Sequence, residues 1–564
     1  MKYFIFCLLF LSLYAPAWDG KEVYDKYCSQ CHNDTGDGNG IAYDYVLPKP
    51  RDFTTGVFKF RTTANEHLPL EQDLIRVITK GIPGTSMPAF AQIGDTQIKE
   101  VATYIQTFFK AKIDEGPWPA PEVAIGTPPA VTDEMIAKGR QAYVDNGCID
   151  CHGHDGRADG PSSPTLEDDY GNPIKAANLT ASWRFRGGDS LTDIYRAFST
   201  GLAGTPMPSY IESMPDDNDR WAISAFVRSM APPVKPEASA QVIAAMRETL
   251  PETVEDEVWA TIEPAWFPLS GQVIWEPINT DPTVFGVKVR ALHNGGELVM
   301  LVEWDDPSFS SSALAAAAPV AAAGDDEDDW DDQEEDDFDD DDFGDDEEEA
   351  GEPAVALDDS FAVQFPTGMP KGNERPYFVM GDSKYGVNLW HWTNSESVVA
   401  SENKGEGDWA RYYKEFGGDA AVANRLASGR EDIRDMAAGQ AINGKVRYRN
   451  GSYSLLLRRK LVSLQAEGAE AAAEPDPAGE VQLVPGQFVP VAFWAWDGSN
   501  GEQGAKASLS AWYFLVLEQP VGSEVYYKTA GAVVILFLLQ LLAVRLAKAG
   551  KPAETTAVEA EATT

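Results

Sequence analysis

Four cysteines constrain this chain more than anything else in its 564 residues. They occur as Cys28-Ser-Gln-Cys31-His32 and Cys148-Ile-Asp-Cys151-His152, two copies of C-x-x-C-H separated by 120 positions. The spacing is that of c-type haem attachment: two thiols placed to form thioethers with the haem vinyl groups, and an adjacent imidazole placed to ligate iron from one face. Zinc is the main rival at C-x-x-C, but the His directly after the second Cys in both copies argues against it. Each motif has a downstream partner. Gly81-Ile-Pro-Gly84-Thr85-Ser-Met87-Pro88 aligns with Gly201-Leu-Ala-Gly204-Thr205-Pro-Met207-Pro208, and His32 to Met87 and His152 to Met207 both span 55 positions. Asp73/Asp193 and Arg76/Arg196 recur at the same offset of 120. A fixed-offset repeat means two copies of one domain. Met87 and Met207 are candidate second ligands, with core packing as the plainer alternative; Met214 is a backup for Met207 outside the Gly-Thr-x-Met-Pro frame.

On these motifs, residues 18–115 and 132–232 resemble class I cytochrome c domains, small all-α folds around one covalent haem each. The resemblance implies His32 and Met87 as axial ligands of the first haem c, and His152 and Met207 of the second. His/Met ligation raises the reduction potential and leaves no open coordination site, which suits electron transfer. Helices are expected over Asp19–Tyr27, Thr132–Asn146, Thr96–Phe109 and Asp217–Met230. Proline-rich stretches mark linkers at 116–131 and 233–254. Arg61 and Arg186, each after a Phe, are either haem-propionate partners or exposed arginines. His67 and His154 read as surface or loop residues.

The ends of the chain point to a compartment. Met1–Ala17 reads as a signal peptide: Lys2, an apolar run and Ala15-Pro16-Ala17 as cleavage site, with Cys7 inside it. Residues 525–547 read as one transmembrane helix, flanked by Tyr526 and Tyr527 on one side and Arg545, Lys548 and Lys551 on the other. By the positive-inside rule the tail 548–564 is cytoplasmic, the body sitting on the extracytoplasmic (periplasmic) face. The formal net charge of −44 argues against nucleic acid as a partner. Residues 325–349 hold 20 acidic residues and no basic one, and the remainder still carries −24.

From about residue 255 to 520 the pattern becomes strand-like. Val287, Val289 and Ala291 alternate, Asn294-Gly295-Gly296 turns, and Leu298, Met300 and Val302 alternate again. Phe361–Phe365, Val446–Tyr448, Ser452–Leu457, Phe488–Trp496 and Leu509–Leu517 are further candidate strands of a sandwich or barrel. The series Glu303-Trp304-Asp305-Asp306-Pro307, Phe361-Ala-Val363-Gln364-Phe365-Pro366, Met380-Gly381-Asp382, Val387-Asn388-Leu389-Trp390-His391-Trp392 and Trp496-Asp497-Gly498-Ser-Asn500-Gly501 resembles the haem b-binding gamma subunit of ethylbenzene dehydrogenase and its relatives. That family serves extracytoplasmic molybdenum enzymes of the dimethyl sulfoxide reductase family, nitrite oxidoreductase among them. The resemblance implies one non-covalent haem b held between two sheets by Met380 and Lys506. An ammonium has no lone pair, so such a Lys must lose its proton. His391 is a rival ligand, and His293, near a turn, reads as solvated. The acidic tract reads as a disordered insertion, 313–356, either a solvated loop or a docking arm for a basic partner.

The expectation is a membrane-anchored multihaem electron-transfer subunit rather than an enzyme in its own right. It carries two haem c and one haem b, partnered by a catalytic molybdenum subunit and an iron–sulfur subunit. A cytochrome c or terminal oxidase lies on its other side. A free-standing multihaem conduit and a dihaem peroxidase are the alternatives; the two intact Met motifs speak against the peroxidase.

Overall fold

The computed structural model describes residues 19–313, 357–368, 374–394, 399–400, 413–436, 441–461, 479–519 and 523–549. The expected leader 1–17, nearly all of the insertion 313–356 and most of the tail 548–564 lie outside the described residues.

The first domain contains α1 (Gly20–Tyr27), α2 (Ser29–His32), α3 (Glu71–Lys80), α4 (Asp95–Ile105) and α5 (Lys110–Glu115). The second contains α6 (Asp133–Asp145), α7 (Cys148–His152), α8 (Leu191–Thr200) and α9 (Asp217–Met230). Local signals set the starts. Asp19 caps α1 by accepting from the Glu22 N–H at 2.8 Å, and Thr132 caps α6 from Met135 at 3.2 Å. The expected helix Thr96–Phe109 ends at Ile105 instead. The repeated Asp73/Asp193 and Arg76/Arg196 belong to α3 and α8, helices the sequence left unread. Each Asp sits in the first turn and each Arg pairs with it one turn on, at 3.2 and 2.7 Å.

In both copies the first helix crosses a later one, α4 in the first domain and α9 in the second, through a glycine. A Cβ on Gly20 would overlap the Glu100 carbonyl oxygen, and one on Gly139 that of Ala222. Backbone therefore packs on backbone, which only glycine permits. Beside that crossing, the Tyr24 hydroxyl donates to the Asn33 carbonyl at 2.7 Å and Tyr143 to that of Gly153 at 2.9 Å. The same buried tyrosine thus fastens the end of the haem-attachment helix twice. Two separate apolar clusters result, one on Val23, Val101 and Ile105, the other on Val144, Ile223 and Val227.

Among the described residues the third domain has fifteen strands. They are β1 (Gln241–Met246), β2 (Ala265–Pro268), β3 (Ser270–Gly271), β4 (Gly286–His293), β5 (Glu297–Asp305), β6 (Ser360–Pro366), β7 (Val387–Thr393) and β8 (Val399–Ala400). Then follow β9 (Glu415–Ala427), β10 (Ile433–Asp435), β11 (Ile442–Arg449), β12 (Ser452–Lys460), β13 (Phe488–Trp496), β14 (Ser508–Leu509) and β15 (Tyr513–Leu517). Ten of them form a hydrogen-bonded circuit, β15-β1-β4-β5-β12-β11-β9-β7-β6-β13, which the β13–β15 pairing closes. The expected sandwich or barrel is a closed barrel, and closure removes the unpaired edges of an open sheet. The expected hairpin is β4–β5, with Val289 opposite Val302. At its turn the Asn294 side chain accepts from the N–H groups of Gly296 and Glu297 at 2.9 and 2.8 Å. β1 falls inside the expected linker 233–254. It runs parallel to both β15 and β4, so the domain starts earlier than composition indicates. The expected strand Leu509–Leu517 is split where Ser510 bonds the Phe493 backbone.

Alternation sorts each strand into two faces. Inward residues such as Val289, Trp304, Phe361, Val363, Trp390, Trp392 and Phe493 fill the barrel. Outward Ala362, Val387, Leu389, Trp494 and Trp496 form a second cluster, covered by Val379, Met380 and Ala507. The last described element is a helix, Ser523–Ala549, whose apolar stretch Glu524–Leu546 is not buried against the protein. It is long and apolar enough to cross a membrane.

The glycine crossing yields a test. Gly139→Ala should destabilise the second domain by about 1–3 kcal/mol net, because the backbone it meets cannot rotate away. Haem-monitored thermal unfolding should show a lowered transition for that domain, and an unchanged midpoint would refute the close crossing.

Candidate haem sites

Each attachment histidine closes a short helix opened by its first cysteine, so thiols and imidazole share one side of one turn. Cys28, Cys31, Cys148 and Cys151 are free thiols, none fully buried. Burial pushes Cys28 and Cys148 up to about 12, keeping them protonated. The histidines carry the clearer signal. His32 Nδ1 lies 2.9 Å from the Arg51 carbonyl oxygen, and His152 Nδ1 lies 2.9 Å from that of Ala177. A carbonyl only accepts, so Nδ1 bears the proton and Nε2 keeps its lone pair. Desolvation lowers the pKa of both imidazoles, favouring the neutral form that ligates metal.

The methionine loops are built identically. The Ile82 N–H donates to the Met87 carbonyl at 3.0 Å, and the Leu202 N–H to that of Met207 at 3.1 Å. The Thr85 hydroxyl donates to the Ile82 carbonyl and accepts from the Met87 N–H, at 2.9 and 3.2 Å. Thr205 does the same with Leu202 and Met207, at 2.6 and 3.3 Å. Gly81 and Gly201 enter the loops at φ 67° and 70°. The Gly-x-x-Gly-Thr-x-Met frame is therefore the hydrogen-bonding pattern of one turn. Met87 and Met207 stay half-buried, Met207 packed against the apolar cluster of the second domain. Met214 is 5% exposed and packed in the core cluster of the second domain.

Several secondary expectations change. Arg61 is neither exposed nor available to a propionate. It is 1% exposed, and its guanidinium donates to the Phe58, Ala64 and Thr200 carbonyls and to Asn65. The Thr200 bond, at 2.8 Å, joins the first domain to the second. Arg186 is exposed, and His67 is exposed as expected. His154 is an interface residue, against Asp155 and edge-on to Tyr413 of the barrel. His293 is fully buried rather than solvated. Its Nε2 lies 2.8 Å from the Glu518 carbonyl oxygen and its Nδ1 accepts from Gly295, and it continues the alternation of the buried Val287, Val289 and Ala291.

The second domain docks on the barrel through the loop that holds its histidine. Asp305 accepts from Arg157 at 3.0 Å, Asn178 at 3.2 Å and Thr180 at 3.1 Å. Lys175 donates to the Asn500 side chain at 2.6 Å, and the Lys506 ammonium donates to the Asn500 carbonyl at 2.6 Å. Arg184 stacks on Phe285 at 3.4 Å. Ala177, the carbonyl that orients His152, lies between Lys175 and Asn178.

Met380 is 5% exposed and sits at φ 58°, followed by Gly381 at φ 75°. A left-handed non-glycine residue costs energy and is held there by its surroundings. Met380 belongs to the outer cluster with Trp494, Trp496 and Ala507, not to the space between the inner faces, which aromatic side chains fill. Lys506 is half-buried next to Ala507 in the chain, with its side chain on the Asn500 carbonyl. A neutral Lys506 amine can keep its bond to Asn500 and still offer a lone pair. His391 lies on the face of that outer cluster, packed on Trp496, with its pKa lowered by burial to about 4. Arg425 stands 2.7 Å from its Nδ1. A guanidinium only donates, so the His391 proton sits on Nε2, which then has no lone pair for iron. Among the described residues Nε2 has no hydrogen-bond partner. This tautomer is opposite to that of His32 and His152, and it sets His391 aside as a ligand. The deciding groups, the Arg51 and Ala177 carbonyls and the Arg425 guanidinium, lie 19, 25 and 34 positions from the histidines they orient. Nothing local marked them.

Met207→Ala should lower the potential of the second haem c and let added carbon monoxide bind there, leaving the first haem unchanged. Retained potential and no ligand binding would place Met207 in the core instead. Asp305→Ala removes three acceptor contacts between the second domain and the barrel. It should cost about 1–3 kcal/mol of docking and slow electron equilibration between the barrel and the second haem in flash-reduction kinetics.

Comparison with known proteins agrees with this layout. The ethylbenzene dehydrogenase family profile matches residues 256–508, that of cytochrome c oxidase, cbb3-type, subunit III matches 15–105, and that of cytochrome c matches 136–231. Among solved structures, a chain of the Kuenenia stuttgartiensis reducing HAO-like protein complex is 40% identical, with 38% of this chain and 99% of that chain covered and a TM-score of 0.36. A family 9 carbohydrate binding module from Caldicellulosiruptor kristjanssonii is 9% identical over 50% of this chain and 97% of its own, at a TM-score of 0.21. No curated protein matched. The chain is a fusion of two cytochrome c domains with an ethylbenzene dehydrogenase-type β domain.

Proposed function

We propose that this protein is a membrane-anchored electron-transfer subunit with two covalent haem c groups and one non-covalent haem b. In this reading it links an extracytoplasmic molybdenum oxidoreductase, nitrite oxidoreductase-like, to the respiratory chain. The observation that carries the electron-transfer assignment is the duplicated pairing of an Nδ1-anchored histidine with an identically bonded methionine loop. His32 with Met87 and His152 with Met207 would each hold a haem, which would supply one-electron storage at a raised potential. The protein's own residues do the rest. Cys28, Cys31, Cys148 and Cys151 hold the macrocycles; the Arg51 and Ala177 carbonyls hold the imidazoles in the ligating tautomer. Met380 and Lys506 are the proposed haem b ligands, and the unpartnered His391 Nε2–H is a donor available to a propionate on that face.

The contacts support an order. The second domain touches both neighbours, the first through Arg61 and Thr200 and the barrel through Asp305, Lys175 and Asn500. Electrons therefore pass between the barrel and the first domain by way of the second. A molybdenum subunit with its iron–sulfur partner meets the barrel, and a cytochrome c or terminal oxidase meets the first domain. The C-terminal helix anchors the assembly, with Arg545, Lys548 and Lys551 on the cytoplasmic side.

A pyridine haemochrome spectrum of the purified chain should give about two c haems per b haem. Met380→Ala and Lys506→Ala should each deplete the b signal and leave the c signal intact. Full b content in both variants would overturn the ligand assignment. Purification as a partner-free holoprotein from native membranes would favour a free-standing conduit over a complex subunit.

A further inference from the structure

Three aspartates of the barrel, Asp306, Asp359 and Asp497, meet in its interior with no role in the haem sites. One carboxylate oxygen from each lies within 4.8 Å of the others, and all three residues are 0% exposed. Asp306 follows β5, Asp359 precedes β6 and Asp497 follows β13, so the cluster joins three strand ends. Each carboxylate is held by one or more donors. Asp306 Oδ1 accepts from the Ser308 N–H at 3.1 Å, and Asp497 Oδ1 from the Ser499 hydroxyl at 2.6 Å. Asp359 accepts from the Gly498 N–H at 2.8 Å on Oδ1, and from Ser310 and the Tyr453 hydroxyl, both at 2.6 Å, on Oδ2.

What these donors leave over is specific. Among the described residues, Asp306 Oδ2 and Asp497 Oδ2 are buried without a hydrogen-bond partner. So is Oδ1 of Asn394, another residue with 0% exposure. The Asn394 side chain adjoins the cluster, donating through Nδ2 to the Tyr453 hydroxyl, which itself donates to Asp359. Charge deepens the problem. After burial, the strongest influences on Asp306 and Asp359 come from neighbouring carboxylates, and both are held well above the usual carboxylate range. The nearby Arg157 pairs with Asp305 instead. Among the described residues, no Lys, Arg or His forms an ion pair with any of the three. Buried carboxylates in this state are stable only if protons or a cation neutralise them.

We propose that Asp306, Asp359 and Asp497, completed by Asn394 Oδ1, bind a structural calcium ion. All four donors are oxygens, with no His or Cys, which selects a hard cation. Calcium accepts six to eight protein oxygens in irregular geometry, whereas magnesium keeps its waters and needs a near-ideal octahedron. The ion fastens the two ends of the acidic insertion, since Asp306 and Asp359 flank it. It also pins the loop from Asp497 to Asn500, where Lys506 and Lys175 are bound. The effect on Lys506 rests on the haem b reading above; the cation site itself does not.

The test uses the full-length chain in detergent, and a second form lacking residues 325–349, because the acidic tract binds divalent ions weakly by itself. Both forms should retain about one tightly held calcium by elemental analysis. EGTA should lower the thermal midpoint, and added calcium should restore it in a concentration-dependent way. Terbium should give luminescence sensitised through Tyr453, displaced by calcium. Asp306→Asn and Asp497→Asn should weaken calcium binding by about tenfold or more. None of these readouts uses haem. A calcium-free chain whose midpoint ignores both EGTA and calcium, or a 325–349 deletion without tight calcium, would overturn the proposal and leave protons as the neutralising agent.

Discussion

The hydrogen bond from a histidine Nδ1 to a backbone carbonyl is the interaction on which the arrangement of this protein turns. It decides which imidazole nitrogen keeps a lone pair, and so whether a C-x-x-C-H motif can present a ligand at all. In the second domain the same bond carries structural weight. Its acceptor, Ala177, lies between Lys175 and Asn178, both bonded to the barrel. The geometry at His152 and the docking of two domains are thus properties of one loop. His391 provides the contrast. There a guanidinium occupies Nδ1, the proton moves to Nε2, and the residue changes from candidate ligand to hydrogen-bond donor.

The barrel uses its short acidic motifs twice. In Glu303-Trp304-Asp305-Asp306-Pro307, Asp305 faces the second domain and takes Arg157, while Asp306 turns inward to the buried triad. In Trp496-Asp497-Gly498-Ser499-Asn500-Gly501, Trp496 lines the outer cluster, Asp497 joins the triad, and Asn500 meets Lys175 and Lys506. Alternation along an extended chain produces this division, because adjacent side chains point to opposite faces. Substitutions in either motif will therefore disturb docking and barrel together, and single-residue effects there are not additive.

Much was legible before any fold was known. The two C-x-x-C-H motifs, the matching Met loops and the 120-residue offset identified two haem domains, because covalent attachment demands fixed local spacing. The β4–β5 hairpin and the C-terminal apolar helix were legible for the same reason, since their signals lie within one turn or one span. The helices α3 and α8 were not, although their Asp and Arg had been noticed as repeats. β1 was read as linker because its partners, β15 and β4, lie far along the chain and it pairs with both in parallel.

The sequence by itself determined the haem-attachment chemistry, the duplication, the β character of the third domain and the apolar length of its final helix. Tertiary structure alone decided which nitrogen of each histidine is free, that His293 is buried and Arg61 spent on carbonyls, and that Met380 lies in the barrel's outer cluster. It alone brought Asp306, Asp359 and Asp497 together. The reason is physical. Covalent and periodic signals act over a few residues, whereas tautomers, buried charges and barrel closure depend on donors and acceptors supplied from distant parts of the chain.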